Sequence, residues 1–343
     1  MRRGIALSNI LEQLQNELNF IKNYTNSSLM ISTTSKHALK FRVLPRRVIS
    51  NTALSCLMIN DIEALRETIF YFDGKVDSIY VDVEQKQDIN LFGIARKMIR
   101  HSNLVAVKPN DTTLESCDLL IRYQFNDDLY DKKVIVVGTG NLASKIAVRL
   151  AERQAKVFIK GRTLEKEKSL VNGLNLFLPK NTPHINSLKE KSLSMKADVI
   201  ISFISGQLSD ETTLYPYIND KTLIIDGGIN NFSNRFIEQL LSANISIIRL
   251  DTRIALAYQM LNKDDYTQMF FNEIFGQTEI NNVKVVAGGF IGVEGTVIVD
   301  NIRNPRHLLG IADGKGGVKK YEQITESERS KMRKIKQDVP TLD

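Results

Sequence analysis

The chain has 343 residues, of which 43% are hydrophobic and 25% charged, the composition of an ordinary folded protein that is long enough for more than one core. No apolar run approaches a membrane span and nothing resembles a signal peptide, so a soluble protein without a membrane partner is expected. Cys56 and Cys117 lie far apart and the four histidines are scattered, so we expect a reducing cytoplasm and no metal site.

The first third of the sequence predicts helices and strands that alternate. Alternation of this kind is typical of a parallel sheet with crossover helices, so we predict an N-terminal α/β domain with a mostly parallel sheet over residues 1–125. The predicted elements are a helix at Ser8–Lys22, a polar turn-rich stretch at Asn23–Ser35, a loop or edge strand at Leu39–Ile49, a helix at Asp61–Tyr71, a strand at Ser78–Val83, a helix at Asn90–Arg100, a strand at Leu104–Val107 and a helix at Thr113–Tyr123.

The last two strands of this domain each end in a group of acidic, basic and amide residues. In open α/β sheets the ligand crevice lies off the carboxyl ends of the strands, so a substrate is expected there. The groups are Asp82, Glu84, Gln85 and Lys86 after the first strand, and Lys108, Pro109, Asn110 and Asp111 after the second.

A lysine close to a carboxylate can act as the acid/base group of a hydride transfer. We slightly prefer Lys108 with Asp111, because Pro109 stiffens that turn, over Lys86, which acidic neighbours would hold charged. The alternative is that both lysines are surface charges and that Asp111 merely caps the helix that follows.

Residues 131–163 read as strand, glycine turn, helix and second strand. Val134–Val137 is a short apolar run typical of a buried strand, and Gly138, Gly140 and Ala143 then form G-x-G-x-x-A before a helix at Asn141–Arg153. The first glycine permits a tight turn, the second lets the backbone approach a pyrophosphate, and the helix start attracts that anion. The predicted pyrophosphate contacts are Gly138, Thr139, Gly140, Asn141 and Leu142.

The turn after the second strand of this unit, Lys156–Ile159, indicates which dinucleotide is bound. Sites for NAD usually place a carboxylate there for the ribose 2′-hydroxyl, but this turn is Lys160, Gly161, Arg162 and Thr163. Two cations and a hydroxyl suit a 2′-phosphate, so NADP(H) is predicted as the cofactor. The alternative is that Lys160 and Arg162 are solvated surface charges.

The rest of the chain extends this unit into a Rossmann-type doubly wound NAD(P)-binding domain, predicted over residues 126–302 and followed by a C-terminal loop and basic helix over 303–343. Thr325 and Glu328 form a capping-box pattern at the start of that last helix. The predicted elements are a helix at Leu164–Asn172, a strand at Ala197–Ser205, a strand at Thr222–Asp226, a helix at Ser233–Ser242, a strand at Ile245–Leu250, helical structure at Ile254–Phe275, a last strand at Val283–Ala287 and a helix at Gly295–Ile302.

From Asp131 to Asn301 the motifs resemble those of two-domain NADP-dependent dehydrogenases of the methylenetetrahydrofolate, shikimate and glutamyl-tRNA reductase type. KGRT resembles the NRT turn of shikimate dehydrogenases, and ADVIIS is similar to the strand over the nicotinamide-proximal part of the cofactor. Three further segments resemble the folate enzymes: LIIDGGIN resembles their VIDVGIN, RLD stands where they have GDV, and VVAGGFIGVEGT resembles their PVPGGVGPMT loop. The resemblance implies cofactor contacts at Ser205, Gly206, Gly228 and Gly289. The glycine-rich loop lacks the family's prolines and the NVT-P-K motif of shikimate enzymes is missing, so the resemblance carries over fold and cofactor and not substrate.

The sequence therefore predicts a biosynthetic NADP(H)-dependent oxidoreductase, expected as a homodimer, that transfers a hydride to or from a carbonyl or imine carbon of a small polar metabolite. One alternative is a regulatory or scaffold protein that binds the dinucleotide without turnover. Another is nucleic-acid binding by the basic tail, where Lys331, Arg333, Lys334 and Lys336 lie close together. No nucleic-acid module accompanies this tail, so an exposed helix is the preferred interpretation.

Overall fold

The computed structural model describes residues 2–34, 39–49, 51–189, 195–261 and 265–336. The chain divides into two compact units, residues 1–259 and 260–343, and each is treated by itself below. The first unit contains two separate sheets and the second unit a third. The domain boundaries predicted after residues 125 and 302 stay predictions.

The N-terminal sheet has five strands in the order β2-β3-β1-β4-β5, and only β2 runs antiparallel to its neighbour. This confirms the predicted mostly parallel α/β architecture. Leu14, Leu65 and Ile79 are among the fully buried side chains of the core between this sheet and its helices. The elements are α1 Arg2–Ile21, β1 Asn26–Ser32, β2 Phe41–Ile49, β3 Thr52–Ile59, α2 Ile62–Phe72, β4 Ser78–Asp82, α3 Leu91–Met98, β5 Asn103–Val107 and α4 Pro109–Gln124.

The prediction of a turn-rich stretch at Asn23–Ser35 is wrong, because this segment contains β1, the central strand of the sheet. Leu29 and Ile31 are fully buried. At the polar start of the strand, the Ser27 amide finds its hydrogen-bond acceptor outside the strand, in the Asp77 carboxylate at 2.7 Å. Strand β3 was not predicted either. The edge position predicted for Leu39–Ile49 is confirmed, with Pro45 at an irregularity in the β2–β3 register.

The second sheet has six strands in the order β11-β10-β9-β6-β7-β8, all parallel. Numbered 1 to 6 along this part of the chain and read from β8 to β11, that order is 3-2-1-4-5-6, the arrangement of doubly wound dinucleotide-binding sheets. The predicted Rossmann-type architecture is thereby confirmed. The elements are β6 Lys133–Val137, α5 Asn141–Glu152, β7 Lys156–Lys160, α6 Leu164–Asn175, β8 Asn186–Ser187, β9 Val199–Ser202, β10 Leu223–Asp226, α7 Asn234–Ser242, β11 Ile247–Arg249 and α8 Arg253–Leu261.

A row of ion pairs joins the two sheets of the first unit through helices α4 and α5. The pairs are Lys145–Asp111 at 3.2 Å, Arg149–Glu115 at 2.5 Å and Arg153–Asp118, which makes two bonds of 2.8 Å. The cations are four residues apart, two on α5 and Arg153 at its C-cap, so they share one face of that helix. The Asp118 side chain is fully buried and its contact with Arg153 is bidentate, the geometry that fixes orientation best. The row therefore fixes the start of α5 relative to the end of β5.

Residues 260–343 form a separate unit around a four-stranded sheet in the order β12-β13-β14-β15. The predicted capping box is confirmed: the Glu328 amide donates to the Thr325 hydroxyl at 3.3 Å, and the Thr325 amide donates to the Glu328 carboxylate at 2.8 Å. The elements are α9 Asp265–Met269, β12 Gly276–Ile280, β13 Val283–Ala287, β14 Val297–Val299, β15 Leu308–Ile311 and α10 Glu326–Lys336.

Two predictions in this unit are wrong. Val283–Ala287 is not the last strand of the doubly wound sheet, because it pairs with β12 across Asn281 and Asn282, whose φ angles of 51° and 60° make a two-residue hairpin turn. Gly295–Ile302 is not a helix, because Val297–Val299 is a β-branched strand that buries its two valines. The helical structure predicted at Ile254–Phe275 is present on both sides of residues 262–264, which lie outside the described residues.

Candidate functional site

The first part of the candidate site is the point where the strand order of the doubly wound sheet reverses. Strands β6 and β9 are neighbours there, with Val137 opposite Ser202, and the loops that follow them diverge to opposite sides. Gly138 follows β6 with a φ of +131°, and a Cβ atom on it would lie 2.6 Å from the Phe203 carbonyl oxygen. Glycine is therefore required at this position by the fold itself.

Gly140 differs from Gly138, because the fold does not require a glycine there. Its φ of −91° suits any residue, and a Cβ atom would meet nothing within 4 Å. Gly140 caps α5, and within the described residues no side-chain hydrogen bond caps this helix. The N–H groups of the first turn, which include those of Asn141 and Leu142, are thus available to an anion. Thr139 is half-buried beside them.

The turn after β7 is built around a buried carboxylate that the sequence did not reveal. Glu167 is fully buried and accepts a hydrogen bond from the Gly161 amide at 2.7 Å and another from the Ser187 hydroxyl. Thr163 caps α6, since its hydroxyl accepts from the Lys166 amide at 3.4 Å. A glutamate four residues into a helix is an unremarkable feature of a sequence, so only the fold shows its role.

The two cations predicted to bind a 2′-phosphate lie on this turn. Lys160 is half-buried, and its pKa is lowered by burial first and by the charge of Lys189 second. Arg162 is exposed. Lys189 approaches the same turn, because its Nζ donates to the Arg162 carbonyl oxygen at 3.0 Å. Lys189 lies 27 residues further along the chain than Arg162, and no pattern in the sequence marks it.

The loops after β9 and β10 are held together by Asn231, a second residue missed by sequence reasoning. Its buried side chain accepts from the Ser202 hydroxyl at 3.0 Å and donates to the carbonyl oxygens of Ile204 and Gly206, both at 2.9 Å. Asp226 shapes the second loop by accepting from the amides of Gly228 and Asn231. Ser205 and Gly206 are exposed and Gly228 is half-buried.

We expect Asn231→Ala to lower the free energy of unfolding by about 2–3 kcal/mol, because it leaves a hydroxyl and two carbonyl groups without their partner. Chemical denaturation measures this. Asn234→Ala, which changes an exposed asparagine three positions along, is the control and should shift the unfolding free energy by less than about 0.5 kcal/mol. Equal effects of the two substitutions would contradict the role of Asn231.

The second part of the candidate site is the carboxyl edge of the N-terminal sheet. A cleft of about 400 Å³ is lined by Asn60, Asp61, Ile62, Glu63, Gln87, Asp88 and Ile89, and an adjacent one of about 390 Å³ by Gln85, Lys86, Gln87, Asp88 and Asn90. The predicted group after β4 therefore borders an open cleft, as expected for a ligand site in an α/β sheet.

Lys86 is the more enclosed of the two candidate lysines. Its side chain is 14% exposed, and Nζ lies 3.0 Å from Asp82 and 3.0 Å from Glu84. The Asp82 side chain is fully buried and also accepts from the Thr33 and Glu84 amides. Two carboxylates therefore fix the position of a lysine ammonium group at the wall of the cleft.

Lys108 and Asp111 are brought together as predicted, with Nζ and Oδ2 at 2.6 Å. The Lys108 side chain is 50% exposed, and its pKa is raised by the hydrogen bond to Asp111 and then by the charge of Asp111. That direction is opposite to the lowering that suits a lysine base. Lys145 of α5 shares Asp111 at 3.2 Å, so this pair lies at the junction with the doubly wound sheet and its helices.

The remaining predicted features lie in the second unit. Gly289 follows β13 with a φ of +86°, and its cofactor contact stays a prediction. In the basic helix α10, Lys331 donates to the Gly295 carbonyl oxygen and Arg333 pairs with Glu326, so part of the positive charge of this helix is used in contacts within the unit. Across the described ranges, no group of three metal-ligating side chains is present and no helix has the length and apolar character to cross a membrane.

Comparison with known proteins bears on part of this site. Residues 120–210, fewer than half of the chain, match the family described as shikimate / quinate 5-dehydrogenase. The segment contains the glycine turn, the turn after β7 and Ser205–Gly206. The match supports a relationship to NAD(P)-binding dehydrogenases and bears out the shikimate part of the resemblance; the folate and glutamyl-tRNA reductase parts receive no specific support. No curated protein matches the chain at a significant level.

Similar solved structures include a shikimate dehydrogenase in complex with NADP+ (14% identity, 70% of this chain, 90% of that chain), the shikimate dehydrogenase of Aquifex aeolicus (19%, 72%, 92%) and the L-tryptophan dehydrogenase of Nostoc punctiforme (17%, 63%, 63%). Each has a TM-score of 0.40. At this level a likeness says nothing about the site, so the strand order and the contacts of this chain carry the conclusions below.

Proposed function

We propose that the protein is an NADP(H)-dependent oxidoreductase that transfers a hydride to or from a carbonyl or imine carbon of a small polar metabolite. The observation that carries the proposal is the place of the glycine turn. Gly138 and Gly140 lie at the reversal point of a 3-2-1-4-5-6 parallel sheet, directly before an N-terminus of α5 that no side chain caps within the described residues. Backbone N–H groups so arranged bind a pyrophosphate.

The preference for NADP(H) is supported by the charge of the turn after β7. Lys160 ends β7 and Arg162 follows two residues later, while the buried carboxylate beside the turn, Glu167, is occupied by the protein's own amides and a hydroxyl. The Glu167 carboxylate is therefore not free to bind a ribose 2′-hydroxyl, whereas a 2′-phosphate would meet the cations Lys160 and Arg162. When bound, the cofactor would supply or accept the hydride.

As the residue that donates the proton, we prefer Lys86 to Lys108. A proton donor must be fixed beside the substrate, and Asp82 and Glu84 fix the Lys86 side chain at the wall of a cleft. Lys108 with Asp111 remains the second candidate, since its side chain is half-exposed and its partner Asp111 is shared with Lys145 of α5. The polar lining of the clefts suits a small polar metabolite.

The cofactor preference is tested by Arg162→Ala. We expect NADPH to bind the unchanged protein more tightly than NADH, and the substitution to weaken NADPH binding by about tenfold while NADH binding stays within about twofold, because only NADPH carries the phosphate that an arginine would contact. Calorimetric titration of both dinucleotides measures this. Equal affinities that Arg162→Ala leaves unchanged would refute the preference.

Measurement of turnover distinguishes the regulatory or scaffold alternative from the oxidoreductase. A protein of that class would quench NADPH fluorescence on binding but oxidise no NADPH with any member of a panel of keto acids, cyclic ketones and imines. The oxidoreductase proposal requires consumption of NADPH with at least one member of the panel.

A further inference from the structure

A third cation, Lys189, is attached to the turn that carries Lys160 and Arg162. Its Nζ donates to the Arg162 carbonyl oxygen at 3.0 Å, and its backbone amide donates to Glu167 Oε1 at 3.0 Å. Lys189 follows the short strand β8, which pairs with β7 in parallel. Both the backbone and the side chain of Lys189 are thus fixed against the end of β7.

Glu167 directs all of its hydrogen bonding into the protein. One carboxylate oxygen accepts from Gly161, and the other accepts from Ser187 and Lys189. Since this side chain is fully buried, it organises the turn without presenting its charge to a ligand. The cationic side chains beside the turn are those of Lys160, Arg162 and Lys189.

The cations of the turn also act on each other. Burial lowers the pKa of Lys160 first, the charge of Lys189 lowers it second, and the charges of Glu167 and Asp210 raise it. Lys189 and Lys160 are therefore close enough to repel one another. A phosphate dianion bound between them would relieve this repulsion and form short charge-assisted hydrogen bonds.

We propose that Lys189 is a specificity-determining residue for the 2′-phosphate of the dinucleotide, completing with Lys160 and Arg162 a pocket for a ribose phosphomonoester. This assignment rests on the proposed NADP(H)-dependent function and adds to it a residue from a different strand connection. Lys189 contributes charge from the β8 side, while Lys160 and Arg162 contribute from the β7 side.

The test uses two small probes, adenosine 2′,5′-bisphosphate and adenosine 5′-monophosphate, which differ in the 2′-phosphate. Titration of the full chain with each probe should show that Lys189→Met weakens the binding of the bisphosphate by about tenfold and that of the monophosphate by less than about twofold. Lys189→Arg keeps the charge and should restore most of the bisphosphate affinity. Lys180→Met removes a charge from an exposed lysine that follows α6 and should leave both affinities unchanged.

Each outcome decides the matter. If Lys189→Met weakens the binding of both probes equally, the turn has lost its shape rather than a phosphate contact, and the assignment is overturned. An unchanged preference for the bisphosphate overturns it as well. If the unchanged protein binds NADPH and NADH equally, the phosphate pocket is wrong and a dehydrogenase function survives. If it binds neither dinucleotide, the proposed function fails as well. Thermal unfolding of every variant shows whether a loss of binding comes from a loss of fold.

Discussion

Replacing Lys86 by methionine is expected to lower kcat by about 10²–10⁴-fold, the usual contribution of a positioned general acid. The methionine keeps the aliphatic bulk at the wall of the cleft and removes the ammonium group that Asp82 and Glu84 hold at 3.0 Å. NADPH affinity should stay within about twofold, because Lys86 lies in the N-terminal sheet region and not on the glycine turn. The measurement is NADPH consumption with the best substrate of the carbonyl and imine panel.

The fold should survive this substitution. Asp82, although fully buried, keeps hydrogen bonds from the amides of Glu84 at 2.8 Å and Thr33 at 3.3 Å after the lysine is gone. Lys108→Met is the matched variant, since it also removes a lysine from a lysine–carboxylate pair, and we expect it to lower kcat by less than about tenfold. Wild-type turnover by Lys86→Met would remove Lys86 from the mechanism, and a large loss in Lys108→Met alone would transfer the role to Lys108.

The second large effect is expected at Gly140. Aspartate fits its φ of −91° and ψ of −177°, is among the best helix caps, and stabilises a helix N-terminus by its charge, so Gly140→Asp should unfold at the same or a higher temperature. It nevertheless places an anion in the open space where the pyrophosphate would lie. We therefore expect dinucleotide affinity to fall by at least about 100-fold.

Gly173 provides the matched control for Gly140. It lies inside α6, and a Cβ atom there would also meet nothing within 4 Å. Gly173→Ala should raise stability by up to about 1 kcal/mol through helix propensity and leave dinucleotide affinity unchanged. If Gly140→Asp binds NADPH as tightly as the unchanged protein, no phosphate lies at this turn.

The glycine turn could be predicted from sequence because all of its determinants are local. The buried run Val134–Val137, the glycines and the amphipathic helix follow one another within the chain, and each restricts the backbone by itself. The order of the strands in the sheet is different in kind, since it depends on pairings such as Val137 with Ser202, which lie far apart in sequence.

The residues that the sequence did not reveal are those whose partners are distant. Asn231 bonds to atoms 25 to 29 residues away, and Glu167 to Ser187, 20 residues away. An asparagine or glutamate has no local signature of such a role. The polar strand β1 was missed for the same reason, because Asp77, 50 residues further along, satisfies its Ser27.

The hairpin between β12 and β13 is a different case, because its signal was present in the sequence. Asn281 and Asn282 separate two strand segments by two residues that favour positive φ, the pattern of a tight β-hairpin. The prediction placed Val283–Ala287 as the last strand of the Rossmann domain, whereas this local pattern favours the hairpin that the structure contains.

In the proposed function, the turn Gly138–Gly140 and the start of α5 hold the pyrophosphate of a nicotinamide dinucleotide. The most direct measurement is calorimetric titration of the folded full-length protein with NADPH and, separately, NADH. We expect saturable binding of NADPH at a single site, tighter than that of NADH, and loss of this binding in Gly140→Asp. A protein that is folded by circular dichroism and takes up neither dinucleotide would contradict it.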